Sequence, residues 1–111
     1  MTITTESMDG DITRVVLDGR LDVEGAAAID MDMNVLAGNA RHLLIDLRHV
    51  TFIGSMGLRS IVIPSKNVRR RGGKVALYGP VPLVEEVLKT SKIDEVIPTF
   101  HTLDDAAAAL R

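Results

Sequence analysis

No cysteine and no tryptophan occur in the 111 residues. The first absence removes disulfides, thiolate nucleophiles and cysteine-bound metals together. Aromatic residues are confined to Phe52, Tyr78 and Phe100, too few for the stacked platforms that hold single-stranded nucleic acid. Positive charge is short as well. Lys and Arg number 13 against 15 Asp and Glu, a net charge of −2, so no global basic field attracts nucleic acid. No apolar run approaches ~18 residues, and Met1-Thr2-Ile3-Thr4-Thr5-Glu6 lacks the basic start and apolar centre of a signal peptide. The expectation is a cytoplasmic protein with no direct membrane insertion. His42, His49 and His101 show no metal-ligand spacing. Neither a Walker A motif nor G-x-G-x-x-G occurs, so no metal and no cofactor is expected.

What the chain has is aliphatic. It is 46% hydrophobic and 25% charged, a globular composition with no sign of disorder. Its length suits one domain over residues 1–111, which at this size buries roughly 65% of its unfolded surface.

The chain opens with Thr2–Ser7, threonine-rich as an edge strand is, and Ile12–Leu17, a second strand. Asp9-Gly10 between them is a hairpin signal. Gly19-Arg20-Leu21-Asp22 ends that strand, and Asp22 is placed to cap a helix. Ala26, Ile29, Met33, Leu36 and Ala37 recur at helical spacing, and Gly38-Asn39 is expected to stop the helix. His42–Leu47 is a near-continuous apolar run, the pattern of a central strand buried on both faces. A turn over Phe52–Gly57 follows, then a second helix with Leu58, Ile61, Val62 and Val68 on its buried side. Pro64 falls inside this pattern and predicts a kink or a break, since it removes a backbone hydrogen bond. Arg69-Arg70-Arg71-Gly72-Gly73 closes the segment as a solvated helix end.

Lys74–Tyr78 reads as a strand and Gly79-Pro80 as a turn. Pro82 suits a first helical position, with Val84, Val87 and Leu88 as the buried side of a short third helix. Val96-Ile97 is expected as a brief strand ended by Pro98. Thr102-Leu103-Asp104-Asp105 resembles a capping box opening a last helix, Leu103–Leu110. The order is β-β-α-β-α-β-α-β-α. Alternation after Asp18 requires crossovers, so the fold class is α/β, a mixed but mostly parallel sheet with an N-terminal antiparallel hairpin and about four helices.

One stretch organises the rest. Leu43–Leu58 reads as strand, short turn, and a serine at the mouth of a helix. Ser55 there can cap the helix, or carry a phosphate that the unpaired N–H groups favour, with Gly54 and Gly57 allowing close approach. Ile53-Gly54-Ser55-Met56-Gly57 also lies one residue from the G-x-S-x-G nucleophile elbow, and Asp94 and His101 follow in hydrolase order. Ile53 breaks that pattern and no glycine-rich oxyanion loop precedes it, so a binding function is expected rather than an enzyme.

Asp46-Leu47-Arg48-His49-Val50-Thr51-Phe52-Ile53-Gly54-Ser55-Met56-Gly57-Leu58 resembles the signature of STAS domains, in particular bacterial anti-sigma factor antagonists, roughly D-L-x-x-[LV]-x-[FY]-[IM]-D-S-[ST]-G-L. Gly19-Arg20-Leu21-Asp22 resembles their G-x-[LI]-D turn. Leu77-Tyr78-Gly79 to Val81, and Ile93 to Phe100, resemble their late helix and last strand. The resemblance implies a partner switch. The unphosphorylated antagonist binds an anti-sigma factor serine kinase, which holds the ATP, and frees a sigma factor. Phosphorylation at the position of Ser55 ends binding, and a phosphatase resets the protein. It further implies a docking face including Asp22, Arg48, Thr51, Gly54, Met56 and Gly57, with Asp22 close enough to repel a phosphate. Two positions depart from the pattern, Gly54 for aspartate and Met56 for serine or threonine. The alternative is a STAS domain that is not phosphorylated and serves as scaffold or accessory subunit of a transporter or stress-signalling complex.

Overall fold

The computed structural model describes all residues, Met1–Arg111. Five strands form one sheet: β1 (Thr2–Met8), β2 (Ile12–Leu21), β3 (His42–Ile53), β4 (Val75–Tyr78) and β5 (Thr99–Phe100). They lie in chain order across it, β1 antiparallel to β2 and every later pair parallel. Four helices connect or flank them: α1 (Val23–Asn39), α2 (Ser55–Arg70), α3 (Pro82–Thr90) and α4 (Leu103–Leu110). The α/β class, the antiparallel hairpin and the number of helices agree with the sequence.

Alternation along β3 explains the layers. Leu43, Ile45 and Leu47 point to the larger core, shared with Ile29 and Met33 of α1, Ile61 and Val68 of α2, and Val84 and Leu88 of α3. Leu44 points the other way, into a smaller core of Ile12, Ala76, Ala106, Ala107 and Leu110 under α4. Helices on both faces satisfy a strand that is apolar on both sides.

Five expectations need correction. First, β2 runs on to Leu21 and β3 to Ile53 instead of ending near 17 and 47. The pairing shifts register between Val16 and Asp18, and again between Gly19 and Arg20, with β3 carrying the extra residue each time. Each bulge spends one residue, so Leu47, Val50 and Ile53, three apart, all reach the same core. A period-two search does not find such a strand. Second, the turn expected over 52–57 is shorter, since α2 already starts at Ser55.

Third, α1 does stop at Asn39, but not by a glycine cap: Gly38 lies within the helix and Ala40 is an extended cap. Its end is closed from afar: Arg71 Nη2 donates to the carbonyls of Ala37 and Ala40. Arg71 is therefore a cap for another helix as well as the end of its own. Fourth, Pro64 does not interrupt α2. Ile61, Pro64 and Val68 are all buried, and this packing offsets a defect worth about 3 kcal/mol in an isolated helix. Fifth, the last strand is Thr99–Phe100, after Pro98. Residues Ile93–Glu95 make a short 3-10 turn, and Ile97 drops into the larger core. Pro98 has no N–H to give, but its carbonyl accepts from Leu77 N at 2.9 Å, and Phe100 O from Gly79 N at 2.8 Å.

Local chemistry sets the remaining boundaries. Gly10 and Asp11 take positive φ in the hairpin. Asp22 Oδ1 accepts from Gly25 N at 2.8 Å and caps α1, and Thr102 Oγ1 accepts from Asp105 N at 3.2 Å and caps α4.

Candidate functional site at the start of the second helix

The parallel strands β2 and β3 deliver their C-terminal ends side by side, and α1 and α2 start there. Gly54 N donates to Leu21 O at 3.0 Å, tying the two ends together. The cap position of α2 belongs to Gly54, and no side chain caps the helix. Ser55 is the first helical residue and is exposed. Its hydroxyl is thus not the N-cap considered from the sequence.

The first helical hydrogen bond runs from Leu58 N to Gly54 O at 2.9 Å. The amides of Ser55, Met56 and Gly57 therefore have no acceptor within the helix, and the first turn carries no acidic residue. The positive end of the helix dipole stands uncompensated beside the Ser55 hydroxyl. Such an end favours an anion attached to the first residue.

Around Ser55 lies a small platform. The Arg20 guanidinium sits 4.5 Å from the centroid of the Phe52 ring, as expected of register partners on β2 and β3. Arg20 Nε lies 3.5 Å from Asp22 Oδ2. The Gly25 amide, and then Arg20, hold the Asp22 carboxyl below the usual carboxylate range. A Cβ built on Gly54 would meet the Phe52 ring at 3.5 Å, ordinary contact, so the space there admits a side chain. Spacing in the sequence does not bring Arg20 and Phe52 together, because their pairing depends on the bulges in β3.

Met56, 40% exposed, faces a groove of about 380 Å³ between α1 and α2, with Asp30, Asn34, Arg59 and Ile63 among its walls. The Ser60 hydroxyl, 2.5 Å from Asp30 Oδ1 and 3.1 Å from Met56 O, joins the two helices across the groove floor. Thr51 is exposed on β3, its hydroxyl 3.5 Å from Gly19 O.

Two of the residues named from the sequence serve the fold more visibly than the surface. Gly57 is buried, and a Cβ there would lie 2.3 Å from Leu21 O. Arg48 points to the face that carries α4. Its Nη2 and Nε bond Asp46 at 2.8 and 3.2 Å, its guanidinium lies 5.1 Å from the centroid of Tyr78, and its stem crosses Gly79. Asp22, Thr51, Gly54, Ser55, Met56 and Gly57 are thus gathered at one end of the sheet, and Arg48 is not. The serine-hydrolase alternative has no assembled triad: His101 Nε2 is 2.6 Å from Glu85 Oε2, in an exposed hydrogen bond of its own.

The STAS domain profile matches residues 4–106. The anti-sigma-F factor antagonist RsfB of Mycobacterium tuberculosis is 28% identical over 115 residues, covering all of this chain and 90% of that protein. The crystal structure of an anti-sigma factor antagonist from Mycobacterium paratuberculosis aligns with a TM-score of 0.88 at 28% identity, over 99% of this chain and 93% of that one. SpoIIAA, a Bacillus cell fate determinant, aligns in its phosphorylated form with a TM-score of 0.74 at 17% identity, over 99% of this chain and 100% of that one, a likeness of fold alone. With the matching profile reaching all five strands, the late β3–α2 motif in place and the same fold in these relatives, this chain belongs to the STAS domain family.

Proposed function

We propose that this protein is an anti-sigma factor antagonist that acts by partner switching. In the unphosphorylated state it binds an anti-sigma factor of the serine kinase class and so frees a sigma factor. The kinase, which brings its own ATP, phosphorylates Ser55 and binding ends; a phosphatase restores the first state. The protein's part is binding, and the chemistry is done to it. The observation that carries this reading is Ser55 itself, exposed at the first position of α2, released from capping by Gly54, and beside amides without acceptors. The relatives named as anti-sigma factor antagonists support the same role.

The proposed docking face comprises Asp22, Thr51, Gly54, Ser55 and Met56, flanked by Arg20 and Phe52; Gly57 supports it from within, and Arg48, on the α4 face, lies outside it. Met56 gives an adaptable apolar contact. A phosphate on Ser55 adds about −1.5 to −2 charge in the middle of this surface. A partner packed there would have to desolvate that charge, at about 2–5 kcal/mol. Asp22, already ionised nearby, adds like-charge repulsion.

A second reading, a STAS domain that is not phosphorylated and acts as scaffold or accessory subunit, is favoured by one feature. Gly54 leaves the site without the acidic neighbour of the family pattern.

The two readings separate in one experiment. The protein is incubated with an anti-sigma kinase from the same organism and ATP, and phosphate is located by mass spectrometry. Phosphate on Ser55, absent from Ser55→Ala, is the expected result. Ser55→Asp should bind the kinase at least about 30-fold more weakly than wild type, the low end of that desolvation cost, whereas Ser55→Ala keeps wild-type affinity. No phosphate on Ser55 rejects the switch in favour of the scaffold. Undiminished binding by Ser55→Asp rejects charge as its mechanism.

A further inference from the structure

Away from Ser55, the opposite side of α1 carries features that the partner switch does not use. β1 is a free edge of the sheet, seven residues long, whereas the other edge, β5, has two. Exposed edges are normally blunted by lysine, proline or a bulge. β1 has none of these: its sequence is Thr2-Ile3-Thr4-Thr5-Glu6-Ser7-Met8, and it pairs with β2 through seven consecutive positions without a register shift. Its one charge, Glu6, is neutralised by Arg14 at 2.8 Å on the α4 face.

The α1 face of this edge is apolar. Met31 is 79% and Val35 59% exposed. With Ile3, Thr5, Asp32 and Leu36 they line a shallow cleft of about 360 Å³ between helix and strand. An unpaired strand beside an exposed apolar helix face asks for an occupant that supplies both a strand and an apolar surface. A second copy of this chain supplies both.

We propose that β1 and the outer face of α1 form a self-association surface, on which two copies join by antiparallel β1–β1 pairing into one continuous sheet. Antiparallel pairing of identical strands is two-fold symmetric and closes on itself. With the axis at Thr4, Ile3 of each copy faces Thr5 of the other on the α1 side.

The helices fit this arrangement. α1 packs over both β1 and β2, so its axis lies roughly half a strand spacing inside the edge. Strands are about 4.8 Å apart, which places the two α1 axes on the order of 10 Å apart, the upper end of ordinary helix packing. Met31 and Val35 are the residues that then meet across the axis.

The area sets the strength. The paired residues 2–6, about 17 Å of strand, and a helix of about 25 Å give a strip on the order of 500 Å² per copy. The total, roughly 1,000 Å², is at the low end for specific interfaces. Asp32, at the rim of the cleft, weakens the contact further by facing its own like. The dimer is therefore weak and concentration-dependent. It leaves the α2 start and the α1–α2 groove open, and does not rest on the proposed phosphorylation.

Sedimentation equilibrium from about 1 µM to 1 mM tests it. The weight-average mass should climb from 12.0 kDa toward twice that value. Met31→Glu, a change at an exposed position, should weaken association at least tenfold with the far-UV circular dichroism and melting temperature unchanged. Met56→Glu, in the groove near Ser55, should leave it intact. A wild-type protein that stays monomeric at 1 mM overturns the proposal. So does a dimer that survives Met31→Glu but is lost in Met56→Glu, which would place the contact on α2.

Discussion

Replacing Asp46 by asparagine should destabilise the protein by about 3 kcal/mol at neutral pH, the lower end for breaking a buried ion pair. The Asp46 side chain is fully buried, while its partners Arg14 and Arg48 are 14% and 42% exposed. Oδ2 accepts from Arg14 Nη2 and Arg48 Nη2, both at 2.8 Å, and Oδ1 accepts from Arg48 N at 3.0 Å. An amide cannot replace this. In either orientation its NH₂ points at an N–H donor, guanidinium on one side and backbone on the other. Without the carboxylate, Arg14 keeps only the exposed Glu6, its Nε having no partner, and Arg48 keeps only the Tyr78 ring. Against a total stability of about 5–15 kcal/mol, the loss is large. At about 4 °C per kcal/mol for a domain of this size, melting should fall by roughly 12 °C.

The pH dependence follows from the same contacts. Burial pushes the Asp46 carboxyl up, but the bonds from Arg48 and Arg14 outweigh it and hold the group below the usual carboxylate range. An acid whose folded pKa is depressed contributes stability that is present above its unfolded pKa, about 3.9. That stability is lost as pH falls through the folded value. Urea denaturation should therefore show the full difference between wild type and Asp46→Asn at pH 7. The gap narrows only once the pH drops below the ordinary carboxylate range. Equal stability of the two proteins at pH 7 would show that the cluster contributes nothing. Glu6→Gln, on the exposed arm of the same network, should change stability by under about 1 kcal/mol.

Asp46 also marks how much the sequence could reveal. It opens the motif that identifies the family, yet nothing local shows that it is an anchor for arginines from β2 and from β3 itself. Features set within a few residues were legible: the Asp9-Gly10 hairpin, the caps Asp22 and Thr102, Pro82 at the start of α3. So was the two-sided core of β3, because Leu43, Leu44 and Ile45 are apolar in succession. Features set by distant partners were not. The end of α1 depends on Arg71, the persistence of α2 through Pro64 depends on packing, and β5 takes its register from Leu77 and Gly79. The site divides in the same way. Ser55 could be found from strand, turn and helix signals, but its release from capping follows from where α2 begins. The Arg20–Phe52 platform depends on two bulges that no period in the sequence announces.

Gly57→Ala should destabilise the protein by about 2 kcal/mol, against the direction helix propensity favours. In a helix interior, alanine is better than glycine by about 0.8–1.0 kcal/mol. At position 57 the added methyl would lie 2.3 Å from Leu21 O, 2.9 Å from Leu21 Cβ and 3.1 Å from Ile53 Cγ1. The nearest of these is backbone, so no rotamer change relieves it, and forced overpacking costs about 1–3 kcal/mol or more. The helix start must move away from the end of β2, which stretches the Gly54 N to Leu21 O bond that fixes the entry to Ser55. Gly38→Ala is the matched control. Nothing lies within 4 Å of a Cβ there, and Gly38 is inside α1, so propensity acts alone and stability should rise by roughly 0.5–1 kcal/mol. Opposite signs for the same substitution in two helices, read from urea midpoints, would assign the cost at position 57 to the contact with Leu21. If both variants were stabilised, α2 would not be seated against β2 as closely as the structure has it. Ser55 would then lose the support that holds it at the sheet end.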